Sequence, residues 1–336
     1  MAYTTIDDPS AHFQSTTYTG AGANTVVTNG GNSDLKPDFL WIKNRTAGYA
    51  HFVVDSNRNI SYAQNSSNAP YLETDSTAAE NSNQNWMQSV NTDGFTTGIA
   101  EHTNCNSGSA YVAWQWKANG GTTASNTDGT VTTTTQVNSD AGFSIVTWAG
   151  GGTGTLGHGL GETPDMWIIK NRDYAVSWAV GFSDSSILGG RSKYLQLNTD
   201  NGISTYNNLW GTSDGQISST TIGAAGDRTI NISGNNYVGY FFKAKQGFSK
   251  FGKYVGNGNA DGAFVYTGFK PAFVLVKMFT SAGYYWRLFD SARSTFNAAD
   301  LLLMPNENWA EFNGGAHASN IGMDFLSNGF KQRTNH

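Results

Sequence analysis

Three apolar runs along the chain share one pattern of hydrophobic and polar positions. Each run begins at a proline and ends six positions later at a lysine, and the runs cover residues 37–43, 164–170 and 271–277. Apolar residues fill most positions between the two, without polar alternation. Such a run is typical of a β-strand that is buried on both faces. We expect each lysine to mark the end of its strand, with the ammonium group in water.

Other segments recur around these core strands in the same order. A Gly-rich hairpin precedes each run, and an aromatic strand follows it. A closing strand then ends the first two copies, at residues 111–117 and 237–243. Short strands separated by Gly, Asn and Ser turns are typical of antiparallel β-sandwiches.

The repeat predicts an all-β chain of three tandem antiparallel β-sandwich units, jelly-roll or lectin-like in build. Unit 1 covers residues 1–118, unit 2 covers residues 142–246 and unit 3 covers residues 247–336. Between units 1 and 2, we expect residues 119–141 to form a Thr/Gly-rich linker, although two valines in it permit a short β-ribbon.

Unit 3 lacks a closing strand in its sequence. Residues 324–330 parallel residues 93–98 of unit 1, but no Tyr-Val strand follows them before His336. An unpaired sheet edge is normally covered in folded proteins. We therefore expect unit 3 to be truncated, or to be completed by another chain, with the neighbour of the missing strand exposed or filled in trans.

Composition and charge narrow the function classes. Charged residues make up 13% of the chain, the formal net charge is −5, and the basic residues form no cluster. Nucleic-acid binding needs a clustered basic patch, so we expect no nucleic-acid partner. No apolar run is long enough to span a membrane, so we expect no membrane insertion. Cys105 is the single cysteine, which excludes an intrachain disulfide.

Several sequence words resemble those of tailed-phage virion proteins from marine and cyanobacterial phages. They include Tyr-Thr-Thr-Ile-Asp-Asp-Pro-Ser at 3–10, Gly-Phe-Ser-Ile-Val-Thr at 142–147, Gly-His-Gly-Leu-Gly at 157–161, Gly-Phe-Ser-Lys-Phe-Gly at 247–252 and Asp-Phe-Leu-Ser-Asn-Gly-Phe-Lys at 324–331. The resemblance implies a tail-fibre, appendage or other structural component on the phage particle. It also implies other virion proteins as partners and a homo-oligomer, with a trimer as one option.

The sequence gives little support for a catalytic or cofactor-binding motif. Residues 152–157 match G-x-G-x-x-G, but the glycines and the proline that follow exclude the helix that a dinucleotide site needs. We interpret His158 as a packing or turn residue, since no second ligand lies at metal-binding spacing. Asp55, Asp184 and Asp290 follow the aromatic strands, and we interpret them as turn caps. The prediction is a non-enzymatic protein with no catalytic residues, no metal and no cofactor.

Aromatic side chains are the remaining candidates for contact with a ligand. Trp86, Trp210 and Trp309 lie in polar segments. If exposed, they would stack on glycans or contact a partner; if buried, they would fill the ends of the sandwiches. The leading functional hypothesis is adhesion to glycans of the host cell surface. The alternatives are a head-decoration or tail-attached structural protein without a receptor, and a surface-polysaccharide depolymerase.

Overall fold

The protein is all-β, as the sequence predicts. The computed structural model describes residues 4–58, 69–82, 87–99, 105–316 and 321–334. Within those ranges the one α-helix is α1 (Ser185–Leu188), which is a single turn. Short 3-10 turns lie at Pro9–Ala11, Ser56–Arg58, Asp214–Gln216 and Gly314–Ala316. No helix in the described part of the chain has the length and apolar character needed to cross a membrane.

Unit 1 contains a five-stranded sheet and a three-stranded sheet. Its strands are β1 (Phe13–Thr19), β2 (Val26–Val27), β3 (Phe39–Asn44), β4 (Phe52–Asp55), β5 (Leu72–Glu73), β6 (Met87–Val90), β7 (Phe95–Thr97) and β8 (Ala110–Trp116). The larger sheet has the order β1-β8-β3-β4-β5, and the smaller has the order β2-β7-β6. The closing strand β8 therefore lies between β1 and the core strand β3.

Unit 2 is built around an eight-stranded sheet. The strands from residue 119 to 246 are β9 (Ala124–Asn126), β10 (Thr133–Asn138), β11 (Phe143–Ala149), β12 (Gly154–Gly157), β13 (Met166–Asn171), β14 (Ala179–Phe182), β15 (Lys193–Gln196), β16 (Ser204–Thr205), β17 (Thr221–Ala224) and β18 (Asn236–Phe242). The large sheet has the order β16-β15-β14-β13-β18-β11-β10-β9, and β12 pairs with β17.

The segment predicted as a linker is part of this sheet. Strands β9 and β10 pair with each other, and β10 pairs with β11 from Thr134 opposite Thr147 to Asn138 opposite Phe143. The β-ribbon that the sequence permits is thus what residues 119–141 form. Along β10 the buried Thr133 and Thr135 alternate with the exposed Thr134, which suits a strand with one face in solvent, so the ribbon extends the sheet of unit 2 instead of serving as a flexible connection.

Unit 3 has shorter strands and smaller sheets. Its strands are β19 (Phe264–Tyr266), β20 (Phe273–Val276), β21 (Arg287–Asp290), β22 (Leu301–Leu302), β23 (Phe312–Asn313), β24 (Met323–Leu326) and β25 (Gly329–Gln332). They pair as β19-β25-β24, β20-β21 and β22-β23.

The closing strands of units 1 and 2 pair with their core strands in one register. Trp41 of β3 lies opposite Trp114 of β8, and Ile168 of β13 lies opposite Tyr240 of β18. Each closing strand is flanked on its other side by the first strand of its unit, β1 or β11. The tandem-repeat description stays a prediction, and this shared register supports it.

Each core strand lies between two hydrophobic cores, which bury β3 completely and β20 only in part. One central core takes side chains from all three units, including Trp41, Ile168 and Leu288. Each unit also has its own outer core. Along β3, Phe39 and Trp41 face the central core while Leu40 and Ile42 face the outer core of unit 1. Both sets of alternate positions are therefore apolar, which explains the continuous runs in the sequence.

The units contact one another in cyclic order around the central core. Three backbone hydrogen bonds occupy corresponding places: Glu80 N–H to Arg172 O at 2.7 Å, Ile203 N–H to Phe279 O at 2.9 Å, and Glu311 N–H to Arg45 O at 2.8 Å. They join unit 1 to unit 2, unit 2 to unit 3 and unit 3 to unit 1. The three units thus form a closed ring within one chain.

Candidate functional site

The three candidate tryptophans have different surroundings. Trp86 lies outside the described residues. Trp210 is buried, with 1% of its surface exposed, in the outer core of unit 2. Its indole N–H donates to Lys193 O at 2.9 Å, and its ring packs edge-on against Trp167. Trp210 therefore fills the unit, which is the buried alternative of the two that the sequence leaves open, and solvent does not reach its ring.

Trp309 is the exposed member of the set. It is 49% exposed, and its ring lies 5.3 Å from the ring of Tyr285 in an edge-on arrangement. The exposed residue Asn308 precedes it in the chain. The backbone at this point is anchored, because Asn308 O accepts a hydrogen bond from Lys43 Nζ at 3.3 Å. An aromatic pair on an anchored backbone, beside a solvent-facing amide, suits the flat apolar faces and hydroxyl groups of a sugar.

The lysines that follow the core strands hold this end of the molecule together. Lys43 Nζ donates to carbonyl oxygens of its own turn and to Asn308 O of unit 3. Lys170 Nζ donates to its own turn and to Thr77 O of unit 1 at 3.1 Å. Lys277 Nζ donates to Met278 O and to Asp200 O of unit 2 at 3.1 Å. Each ammonium group therefore joins one unit to the next.

The expectation that these lysine heads reach water is wrong for Lys43 and Lys170, which are fully buried. Burial lowers the pKa of Lys43, Lys170 and Lys277 to about 8. The carbonyl oxygens around each group accept its hydrogen bonds, which is what a buried cation requires. Single-sequence reasoning missed this role because the accepting carbonyls belong to a neighbouring unit.

We call this end of the ring the lysine end. It comprises the turns after the core strands, at residues 44–51, 171–178 and 277–286, and the neighbouring turns at 74–80, 197–203 and 305–311. Besides Trp309, it exposes Tyr174, whose ring packs under the guanidinium of Arg228 at 4.1 Å, and Tyr284. Exposed aromatic side chains thus occur on two of its three core-strand turns.

Carboxyl groups lie close to the buried lysines of the lysine end. Asp75 accepts a hydrogen bond from His51 N at 2.8 Å, and burial raises its pKa. Burial likewise raises the pKa of Glu73, and of Glu307 two residues before Trp309. Glu307 and the exposed Asn308 lie next to Trp309 in the chain and provide hydrogen-bonding groups for a polar ligand.

The predicted turn caps at Asp55 and Asp290 have a second role at the unit boundaries. Each carboxylate caps the backbone N–H three residues on and pairs with that arginine's Nε at 2.6 Å. The arginines, Arg58 and Arg293, are buried with their partners. Asp184, by contrast, is only a cap, since it accepts from Ser186 N at the start of α1.

These ion pairs extend into the next unit. Arg58 also binds Glu80, which binds Arg172 of unit 2. Arg293 binds Glu311, which binds Arg45 of unit 1. Aromatic side chains of the neighbouring closing strands complete the sites. The phenol O–H of Tyr240 donates to Asp55, and the indole N–H of Trp114 donates to Asp290. These carboxylates are committed to structural pairing.

The interpretation of His158 as a packing residue agrees with its surroundings. The ring is buried, its Nδ1 accepts from Leu160 N at 3.2 Å, and its Nε2 lies 3.3 Å from Ser218 O. Burial lowers the pKa of His158 to about 4. Cys105 is buried as well. Within the described ranges, no group of three or more His, Cys, Asp or Glu side chains is placed to hold a metal ion.

Comparison with known proteins gives one match. Residues 8–336 match the family model of a domain of unknown function, DUF7483. No curated protein and no solved structure matches the chain.

Proposed function

The chain belongs to the DUF7483 family, and from its residues we propose that it is a structural protein of a phage virion, a tail-fibre or appendage component that contacts glycans on the host cell surface. The sequence words shared with tailed-phage virion proteins support its place on the particle. Its partners in this proposal are other virion proteins and further copies of itself.

The exposed Trp309–Tyr285 pair at the lysine end carries the adhesion part of the proposal. The two rings are held 5.3 Å apart, on turns that the buried lysines and Trp286 fix to neighbouring units. The indole N–H of Trp286, next to Tyr285, donates to Gln196 O of unit 2 at 2.9 Å. A pre-positioned aromatic surface loses little side-chain entropy when a ligand binds, and aromatic groups supply much of the contact energy in recognition sites.

Glycan binding by the purified chain tests this proposal. The chain is applied to an array of bacterial surface polysaccharides and to cells of marine and cyanobacterial strains. We expect saturable binding to a subset of these glycans. Trp309→Ala should weaken it at least tenfold, about 1.4 kcal/mol, with an unchanged unfolding midpoint because the ring is half exposed.

A matched control is available in the same unit. Phe296 is 84% exposed and follows β21, whereas Tyr285 precedes that strand, so Phe296 lies at the opposite end. Phe296→Ala should leave glycan binding unchanged. Equal loss in both variants, or no binding by the parent chain together with normal adsorption of particles that lack it, would reject adhesion. That result would favour the head-decoration or tail-attached role, whereas release of reducing ends from the polysaccharide would favour the depolymerase.

A further inference from the structure

The core strand of unit 3 has one open edge. Strand β3 is flanked by β4 and β8, and β13 is flanked by β14 and β18. Among the described residues, β20 pairs only with β21. The difference shows in burial, because all six residues of β3 are buried but only Val274 of the four in β20 is. The open edge lies where β8 and β18 lie in the other two units.

The strand that would flank the other side of a closing strand is also unformed. Strands β1 and β11 pair along their lengths with β8 and β18. In unit 3, Gly-Phe-Ser at 247–249 repeats the Gly-Phe-Ser at 142–144 that leads into β11. Residues 250–257 nevertheless form no strand, and Val255 is 84% exposed. Unit 3 therefore has a core strand with an open edge, and the segment that corresponds to β1 and β11 in chain order is not paired as a strand.

Backbone groups mark the length of the vacant position. In unit 1, the closing strand accepts hydrogen bonds at its two ends, from Arg45 N to Ala110 O at 2.8 Å and from Asp38 N to Trp116 O at 2.9 Å. In unit 2, Arg172 N and Asp165 N bind β18 in the same way. The corresponding groups in unit 3 are the N–H groups of Phe279 and Ala272, and no residue in the described ranges accepts from either. Seven residues of extended chain span this distance, about 23 Å.

Side chains show what the vacant position would accept. Trp114 of β8 and Tyr240 of β18 occupy one register position, and each reaches the end of a neighbouring unit's second strand, at Asp290 and Asp55. Phe182 is the residue of unit 2 that corresponds to Asp55 and Asp290. It lies opposite Met166 as Asp55 lies opposite Phe39. An apolar partner at this place favours an aromatic ring without a donor.

The boundary between units 2 and 3 is incompletely buried. Nine apolar side chains pack against the central core while only partly buried, and they include Ile203 and Phe279, whose backbones are hydrogen-bonded across this boundary. Ile203 and Phe279 stand where the other boundaries have a glutamate and an arginine. A groove of about 360 Å³ also opens here, lined by residues 201–204 and 279–282.

We propose that this boundary is a strand-binding slot: it takes one separate extended polypeptide strand, antiparallel to β20, between β20 and residues 250–257. The expected partner has the chemistry of β8 and β18. Valine and two aromatic residues alternate on the face toward the central core, as at 112, 114 and 116, and a tyrosine begins the other face. Main-chain hydrogen bonds supply affinity and the pockets supply specificity, as in β-strand addition generally. This inference does not depend on glycan binding or on a virion location.

A second copy of this chain is a less suitable occupant. Strands β8 and β18 are each held between two strands of their own sheets, so lending one would open another sheet. A small ligand is too short to accept hydrogen bonds from both terminal N–H groups of the slot at once. The geometry therefore favours a dedicated strand carried by a partner.

Synthetic peptides with the closing-strand sequences test the slot. Peptides covering residues 109–117 and 235–243, each with a lysine tail and a fluorophore, are titrated into the full chain and followed by anisotropy. We expect saturable 1:1 binding and a higher unfolding midpoint. Hydrogen exchange should show new protection at Ala272, Phe279 and residues 250–257. A peptide with proline in place of Gly239 is the control, because proline removes a ladder donor and is excluded from a central strand.

A substitution in the chain checks the location of the bound peptide. Ala272→Pro should weaken peptide binding at least tenfold, since proline removes one of the two terminal N–H donors of the slot. Phe264→Asp, at an exposed phenylalanine of β19, should not. The proposal is overturned if neither peptide binds. It is also overturned if a peptide binds without protecting Ala272 and Phe279, or if the chain dimerises through this boundary instead.

Discussion

At the residue scale, two buried indole N–H groups are satisfied by acceptors that lie far away in sequence. The indole N–H of Trp178 donates to Glu73 O at 2.8 Å across the boundary of units 1 and 2, and the indole N–H of Trp286 donates to Gln196 O across the next boundary. Buried donors need such acceptors to avoid a desolvation penalty. The same residue type thus serves as core filling and as a connection between units.

The buried histidines make the folded chain sensitive to acid. Burial lowers the pKa of His158 to about 4 and holds the pKa of His51 well below its usual value. In the unfolded chain each titrates near 6.5. The stabilising effect of keeping a neutral histidine is therefore complete above pH 6.5 and is lost as the pH falls toward 4. For His158 this amounts to at most about 3 kcal/mol.

Urea unfolding at a series of pH values measures this effect. We expect the free energy of unfolding to fall between pH 6.5 and pH 4.5, and His158→Gln should make the fall shallower because glutamine does not titrate. His12→Gln serves as the control, since His12 is only partly buried and should change the slope less. Parallel pH profiles for the parent chain and His158→Gln would contradict the assignment.

At the element scale, the turns after β4 and β21 each connect three segments of chain. The turn after β4 carries Arg58, which binds Asp55 of β4, Glu80 and the carbonyl of Val53. Through Glu80 and Tyr240 it reaches unit 2. The turn after β21 repeats the arrangement around Arg293. These turns are therefore the points at which adjacent sheets are fixed to each other.

Removing one partner from such a network should be costly. Arg58→Met leaves Asp55 buried without its cation, and we expect a loss of about 3–5 kcal/mol of unfolding free energy. The double variant Asp55→Asn/Arg58→Met should recover part of that loss, because no unpaired charge remains. Arg191→Met is the comparison: its partner Asp214 is exposed, so the loss should be below about 1 kcal/mol. Equal losses for Arg58→Met and Arg191→Met would contradict a buried network.

The strands themselves could be located from sequence to different extents. The core strands could be located well. The runs at 37–43, 164–170 and 271–277 overlap the strands observed at 39–44, 166–171 and 273–276, each of which begins two residues after the proline and ends within one residue of the lysine. The β-ribbon at 119–141 was harder to predict, because a threonine-rich sequence suits a linker and a β-strand equally. Only pairing with β11 distinguishes the two.

At the scale of the whole molecule, the units share one hydrophobic core instead of closing separately. In unit 1, Phe39, Trp41, Val112 and Trp114 point into the central core and are covered by units 2 and 3. A unit on its own would expose that face to water, at a cost of roughly 1.5–3 kcal/mol for each large side chain. We therefore expect the chain to fold as one cooperative body.

Equilibrium unfolding of the full chain and of a fragment tests this cooperativity. The full chain should unfold in one transition, with coincident tryptophan fluorescence and circular dichroism. The fragment 1–118 should lack protected amides and bind a hydrophobic dye. The fragment 1–246 is the intermediate case, since the boundary of units 1 and 2 is intact in it. A natively folded fragment 1–118 would show that the shared core is dispensable.

Of the candidate site, the sequence offered Trp309 as a candidate residue but did not predict the residues that surround it. It placed Trp210 in the same class, because both tryptophans lie among polar residues. What separates them is the outer core of unit 2, which covers Trp210 and has no counterpart over Trp309. The pairing of Trp309 with Tyr285 was likewise invisible, because the two residues are brought together by separate turns of unit 3.

The sequence by itself determined the all-β class and the places of the core strands, and it predicts that no third closing strand lies within these residues. These follow from local features: apolar runs, turn residues and the recurrence of similar words. The tertiary structure alone decided that the two faces of those strands pack against different cores, that the three lysines and the Asp-Arg pairs join neighbouring units, and that the vacant position opens between units 2 and 3. Such features depend on contacts between residues far apart in the chain, and no local pattern of a single sequence records which distant surface will cover a given side chain.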